Sequence, residues 1–297
     1  MHMSIVTIAH NMRRELPRTL KSLSKEYQNG TDEIDYEVIV VDNGSEDPIS
    51  AQSVEKFGPY FKSLHLTSPP PSPAYAINLA VSRAQAPLIA IIVDGAHIMT
   101  PGIIQKANAC FQAIPNAVVA TRYFYLGPGP QNETITQGYN KAEEDGLLAK
   151  IDWPKQGYRL FEIGTPLIYP DFPVYTWFYK PLESNCLFMR RETFMRIGGA
   201  DERFDAPGGG FMNIDLLQRA CDFPGAQPVM LLGEGSFHQL HGGITTNVPP
   251  DEQARRVKLY REQYKGIRGH DLRVSKKNLY YYGDIPTAAA DLQRRNG

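Results

Sequence analysis

The chain has 297 residues, 42% of them hydrophobic and 21% charged, enough apolar material for one large core or two smaller ones, which excludes a disordered chain. Its formal net charge of -1 excludes a global positive field drawing it to nucleic acid or to an anionic membrane, so any anionic ligand is met locally. The three cysteines, Cys110, Cys186 and Cys221, are widely spaced and follow no disulfide or zinc pattern, which predicts buried thiols in a reducing, cytoplasmic setting.

Residues 1–3 resemble an added start ahead of a natural one, and His2 is set aside on that ground. Residues 4–9 then predict a first strand, and residues 16–27 a helix with Pro17 in its first turn and Leu16, Leu20, Leu23 and Tyr27 on one stripe. Strands follow at 37–41 and 63–66, and a helix at 74–84 with Ile77, Ala80, Val81 and Ala84 on one face. Residues 88–93 form the longest apolar run, a fourth strand far short of the ~20 residues that span a bilayer. With no charged-then-apolar leader, a protein without a transmembrane segment or export signal is expected. Thr100 and Pro101 read as N-cap and first-position proline of a helix carrying Ile103, Ile104, Ala107 and Phe111, and residues 117–121 as a fifth strand.

This alternation predicts an α/β fold with a mostly parallel central sheet flanked by helices and ligands at the carboxyl ends of the strands. From Tyr123 to Pro181 the pattern dissolves into Gly, Pro and aromatic residues, including 126–130, Trp153-Pro154 and 169–173, which predicts long loops. Their aromatic rings either pack as a satellite cluster or stack on sugar faces. A second structured block runs over 184–247, and a charged tail follows, helical from Asp251 to about Gly266 and Tyr-rich at 280–282. The expected division is 3–122 as a ligand-binding half, 123–250 as a second half with long loops, and 251–297 as a C-terminal helical extension.

Four places can carry chemistry. The strand at 37–41 delivers Asp42 into the turn Asn43-Gly44-Ser45, where its carboxylate either closes an Asx-turn or binds a ribose hydroxyl or a uracil imide. The strand at 88–93 runs into Asp94 and His97, a carboxylate and an imidazole that suit manganese or magnesium bridging a diphosphate; otherwise Asp94 is a turn carboxylate and His97 an ordinary approach residue. Three glycines, Gly208 to Gly210, allow close backbone approach to a ligand ahead of a helix bearing Asn213 and Asp215, where Asp215 either meets an acceptor hydroxyl or caps the helix. His238 and His241 share one face if their segment is helical, and one of them is expected to complete the Asp94 site.

These residues, in this order, resemble family 2 glycosyltransferases of the GT-A fold across about 4–243. The opening turn of that family corresponds to Ile8-Ala9-His10-Asn11, its Asp-Asp-Gly-Ser turn to 42–45, its Ala-Arg-Asn helix signature to 76–78, and its Asp-x-Asp metal motif to Asp94-Gly95-Ala96. The resemblance implies that Ala9, Asn11, Asp42 and Asn78 neighbour the nucleotide and that Asp94 approaches the metal-bound diphosphate. It further implies a nucleoside-diphosphate sugar donor, UDP favoured, and a carbohydrate or lipid-linked acceptor. Two positions depart from the pattern. Ala96 replaces the second metal aspartate, leaving the metal to Asp94 with His97, His238 or His241, and Met212-Asn213 replaces the Glu-Asp pair that supplies the base of inverting members. The segment 213–219 is instead similar to that of the retaining polypeptide N-acetylgalactosaminyltransferases, so the stereochemical outcome stays open, with Asp215 and Asn213 as the candidate catalytic residues. Other readings are a non-catalytic sugar-nucleotide-binding member of the fold and a nucleotidyltransferase. A dehydrogenase is disfavoured, because no G-x-G-x-x-G follows a predicted strand.

Overall fold

The computed structural model describes residues 1–168 and 174–296. Its first half alternates as the periodicity predicts: β1 (Met3–Ala9), α1 (Leu16–Ser22), β2 (Tyr36–Asp42), α2 (Ala51–Glu55), β3 (Phe61–His65), α3 (Ala74–Arg83) and β4 (Leu88–Ile92). Then come β5 (His97–Met99), α4 (Ile103–Ala113), β6 (Ala117–Leu126), α5 (Gln131–Thr134), α6 (Lys141–Lys150), α7 (Leu160–Ile163) and β7 (Gly164–Pro166). The remainder is β8 (Cys186–Arg190), α8 (Arg191–Arg196), α9 (Met212–Asp222), β9 (Gln227–His238), α10 (Pro250–Arg268), β10 (Tyr280–Gly283) and α11 (Thr287–Asn296).

One ten-stranded sheet runs β10-β9-β6-β8-β4-β1-β2-β3, with β5 added to β9 and β7 to β6. Along that path only β8 is antiparallel to its neighbours, β4 and β6, so the other seven strands point their carboxyl ends the same way. Both faces are covered, as expected of near-continuous apolar strands. Alternate residues feed opposite cores: Ile5, Ala90 and Ile92 pack with Leu20, Ile104 and Phe111, while Val6, Ile8, Ile89 and Ile91 pack with Ile77, Val81 and Leu217.

Several sequence expectations shift. The first helix ends at Ser22, five residues short of Tyr27, whose hydroxyl instead donates to the Met99 carbonyl. Thr100 caps nothing: its hydroxyl donates to the buried Glu234 carboxylate, and α4 has no side-chain cap. The predicted loop region holds three helices and the second half of β6, because a third core of Phe124, Phe161, Trp177 and Phe237 orders it. Those aromatic rings are packing; residues 169–173, read with them as loop, lie outside the described residues. The C-terminal extension is not wholly helical, since Tyr280–Gly283 joins the sheet as its edge strand. All three cysteines are buried and unpaired, as expected.

The pairing of β6 with β9 slips between Ala120 and Arg122, where two residues of β6 span Met230 to Gly235 of β9. Past this bulge β9 stays paired with β6 and takes β5 on its other edge, with His238 directly opposite His97.

Candidate active site

The carboxyl ends of β1 and β2 are tied into one surface. Asn11, in a left-handed conformation, donates its backbone N–H to Ser45 Oγ at 2.8 Å and accepts at Oδ1 from the Glu46 N–H at 2.9 Å. Asp42 does close the Asx-turn, accepting the Ser45 N–H at Oδ1 (2.8 Å), and the same oxygen lies 3.2 Å from His65 Nδ1. Next to it Asn43 donates its N–H to the Ala9 carbonyl and is buried with an Oδ1 that has no hydrogen-bond partner. Ala9, Asn11, Asp42 and Asn43 therefore form one patch, and Asn43 is a member that the motif comparison passed over.

The turn after β4 lies against this patch. A side chain at Gly95 would meet the Ile8 carbonyl at 3.0 Å and the Ala9 Cβ at 3.2 Å, so glycine eases the close approach of this turn to the end of β1. Asp94 divides its oxygens. Oδ1 accepts from the Ala96 N–H at 2.8 Å, and Oδ2 lies 3.2 Å from His241 Nε2 and 3.7 Å from His238 Nε2. The two histidine nitrogens are 3.1 Å apart. Ala96, at the position of the missing aspartate, is fully buried, and its carbonyl accepts from the Gln239 N–H.

Both histidines reach Asp94, although their segment is not helical: His238 ends β9 and His241 lies in the turn that follows. That turn is pinned. Asn247 Oδ1 accepts the N–H groups of Gly242 (2.6 Å) and Gly243 (2.8 Å), and Glu144 accepts that of Leu240 at 2.7 Å. Gln131, buried at the start of α5, donates to the His238 carbonyl and accepts from His238 Nδ1 at 2.7 Å. An amide oxygen accepts only, so Nδ1 carries a proton, and Nε2 is the ring atom that faces Asp94 and His241. Gln131 is the main residue that sequence reasoning missed, since a glutamine in a Gly- and Pro-rich stretch carries no motif. His97 completes the group: its donor atom lies within 4.8 Å of those of Asp94 and His238, and neither ring nitrogen has a hydrogen-bond partner although the side chain is fully buried.

Charge follows the geometry. Burial alone would raise the Asp94 pKa, yet His241 and His238 outweigh it and hold the carboxyl well below its usual range. Burial pushes the His97 and His238 pKa values down, toward neutral rings. At His241 burial also opposes the charge, but Asp94 prevails and the pKa is raised.

The other candidates lie elsewhere. Asn78 spends its carboxamide on the 199–202 loop, donating to the Ala200 carbonyl (2.9 Å) and Glu202 Oε1 (2.8 Å) and accepting the Ala200 N–H (2.9 Å). Asp215 neither caps α9 nor faces a cleft. It is 1% exposed, with Arg219 Nε at 2.7 Å and Arg268 Nε at 2.5 Å on its two oxygens. Asn213 donates to Glu183 Oε2 at 3.0 Å. The three glycines ahead of α9 all have positive φ and approach Ile244, Pro73 and Tyr260.

The model of the family described as glycosyl transferase family 2 matches residues 4–176, more than half of the chain. The chain belongs to glycosyl transferase family 2. Among solved structures, TarS of S. aureus superposes with a TM-score of 0.54 at 15% identity over 89% of this chain and 43% of its own. This chain thus spans less than half the length of that protein. TarS 1–349 in complex with UDP-GlcNAc gives 0.53 at 16% identity, over 89% of this chain and 67% of its own. Glucosyl-3-phosphoglycerate synthase from Mycobacterium tuberculosis, in complex with phosphoglyceric acid, gives 0.52 at 16%, over 90% and 80%. At these identities the likeness is one of fold, and it agrees with the expected GT-A architecture. No curated protein matches the sequence significantly. Of the site, the family 2 span includes the β1, β2 and β4 turns, His97 and Gln131, whereas His238, His241, Asn213 and Asp215 lie beyond it.

Proposed function

We propose that the protein transfers a sugar from a nucleoside-diphosphate sugar, UDP-linked, to a hydroxyl of a carbohydrate or lipid-linked acceptor, with a divalent metal at Asp94. One observation carries this reading: Asp94 Oδ2, His238 Nε2 and His241 Nε2 converge with separations of 3.1 to 3.7 Å at the carboxyl edge of the sheet, beside the Ala9–Asn11–Asp42 patch. An ion about 2.1 Å from each donor spaces neighbouring donors by roughly 3.0–3.4 Å, which the 3.1 and 3.2 Å separations match and the 3.7 Å one between Asp94 and His238 slightly exceeds. The unpartnered His97 imidazole adds a fourth nitrogen nearby. A set of imidazoles and one carboxylate suits manganese better than magnesium, which prefers oxygen ligands and water.

When bound, such an ion neutralises charge developing on the departing diphosphate. The chain's own residues do the rest. The β1 and β2 turns hold the nucleoside, with Asp42 and the Asn43 carboxamide on the base and ribose. Gln131 fixes the His238 tautomer. The division into a nucleotide half (3–122), an acceptor half (123–250) and a C-terminal extension (251–297) follows from this assignment. A cytoplasmic location is supported by the unpaired cysteines, and no described helix is long and apolar enough to cross a membrane. A retaining outcome is the second reading, favoured by the amide at Asn213 and the resemblance of its helix to the polypeptide N-acetylgalactosaminyltransferases.

The test is turnover of a panel of UDP- and GDP-sugars, with and without manganese, followed by release of the nucleoside diphosphate. Manganese-dependent release from a UDP-sugar is expected; no release from any donor would return the protein to a non-catalytic member of the fold. Gln131→Leu should weaken manganese affinity by about 10- to 100-fold, the usual effect of losing a partner that orients a ligating histidine. Titration followed by electron paramagnetic resonance checks this, and unchanged affinity would remove Gln131 from the site.

A further inference from the structure

Transfer to a hydroxyl requires a group that takes its proton, and α9 presents none in the expected form. Position 213 is an amide, and the two oxygens of Asp215 carry Arg219 and Arg268. The amide nevertheless points to an acid. Asn213 Nδ2 donates to Glu183 Oε2 at 3.0 Å and to Asn185 Oδ1 at 3.2 Å, while Asn213 Oδ1 accepts the Ile214 N–H. Both amide protons are engaged, which fixes the Glu183 carboxylate relative to α9.

Glu183 stands at the same sheet edge as the metal-binding cluster. β4 and β8 are antiparallel with Ile92 opposite Cys186, so Asp94, just after β4, and Glu183, just before β8, lie beyond the same end of the pair. Its neighbour Ser184 is held to β6 by the Thr121 N–H. On that strand Tyr125 has its pKa raised by burial and by Glu183, and Tyr125 pairs in register with His238. Glu183 is thus held by α9, lies near Tyr125 on the strand opposite His238, and shares a sheet edge with the β4 turn. It is half-buried, whereas Asp215 is sealed in the core.

Resting on the transferase reading above, we propose that Glu183 takes the acceptor's proton and that Asn213 is its positioning residue. The hydroxyl proton passes to the Glu183 carboxylate as the acceptor oxygen bonds to the anomeric carbon. The bond from that carbon to the diphosphate oxygen breaks, its electron pair leaving on the nucleoside diphosphate. A single displacement of this kind inverts the anomeric configuration.

The experiment uses the full chain with manganese and UDP-GlcNAc, or the UDP-sugar that the donor panel selects, with water or an added sugar as acceptor. Glu183→Gln should keep UDP–manganese affinity within about twofold and lose about a hundredfold or more in turnover, the scale of general-base catalysis. Glu183→Ala should lose as much and regain about tenfold with added formate, a replacement carboxylate that cannot repair a merely structural defect. Unimpaired turnover in Glu183→Gln, no rescue of Glu183→Ala, or retained configuration in the product would overturn the assignment. Failure of the unmodified protein to bind UDP or consume any donor would instead overturn the transferase reading, and this assignment with it.

Discussion

Replacing Asp94 with asparagine is expected to leave the fold standing and to remove manganese-dependent turnover. The amide oxygen of the substituted side chain still accepts the Ala96 N–H, so the turn after β4 keeps its closing bond. What is lost is the negative oxygen that faces His241 and His238. Charge stabilisation by a bound metal contributes several kcal/mol to such a displacement, so turnover should fall by roughly two to three orders of magnitude. The side chain is 25% exposed and outside all three cores, so the unfolding midpoint should move by only about 2 °C. An early-unfolding Asp94→Asn variant would make the residue structural.

The same variant has a signature in the metal-free protein. His241 has a raised pKa in the fold, so its protonated form adds stability at pH below the unfolded value of about 6.5, and that stability is lost as pH rises through the folded value. Asp94, held low, adds stability above about 3.9 that is lost as pH falls through its folded pKa. The pair therefore stabilises the metal-free fold between those limits. In Asp94→Asn the burial of His241 is opposed only by the smaller influence of Glu15, so its pKa should fall and this mildly acidic stabilisation should shrink. Histidine proton resonances followed through a pH titration read it directly.

The second large effect is expected at Asp215, and it is one of stability. Its carboxylate holds Arg219, which also donates to the Ile197 and Gly199 carbonyls, and Arg268 of α10, which reaches on to Asp201 at 2.7 Å. Asp215→Ala leaves two guanidinium groups without their carboxylate; breaking a buried pair costs about 3–5 kcal/mol, and because the two arginines are 23% and 17% exposed the lower part of that range is expected. For a chain of this size that is a fall of roughly 5–10 °C in Tm. Metal and UDP affinity, measured below the lowered midpoint, should remain. A soluble, thermally normal Asp215→Ala with no turnover would reverse this and make Asp215 the base. Asp201 belongs to the same cluster: its hydrogen bonds from Arg203 and Arg268 hold its pKa low, so the stability it lends is present above about pH 3.9 and fades in acid.

The sheet was readable because most of its strands are near-continuous apolar runs that need no partner to be recognised; all five predicted strands form, within a few residues. Asp42 and Asp94 were readable for a related reason, since a carboxylate closing a buried strand lands at the ligand edge of a parallel sheet. The aromatic stretch after Tyr123 was not readable. Its helices are stabilised by burying Phe161 against Phe124, Trp177 and Phe237, contacts distant in sequence, and not by an amphipathic period of their own. Gln131 and Glu183 were hidden for the same reason, as each is hydrogen-bonded to a partner on another element, His238 and Asn213 respectively. Asn78 shows the converse. It occupies a motif position, yet its hydrogen-bonding capacity is spent on the 199–202 loop.

The most direct measurement is calorimetric titration of chelator-treated protein with UDP, first without and then with a fixed excess of manganese. The Asp94–His238–His241 arrangement predicts weak or undetectable UDP binding without the metal, a clear one-to-one isotherm with it, and loss of that isotherm in Asp94→Asn. Equal UDP affinity with and without manganese, or no UDP binding under either condition, would contradict the proposed metal-assisted nucleotide-sugar site.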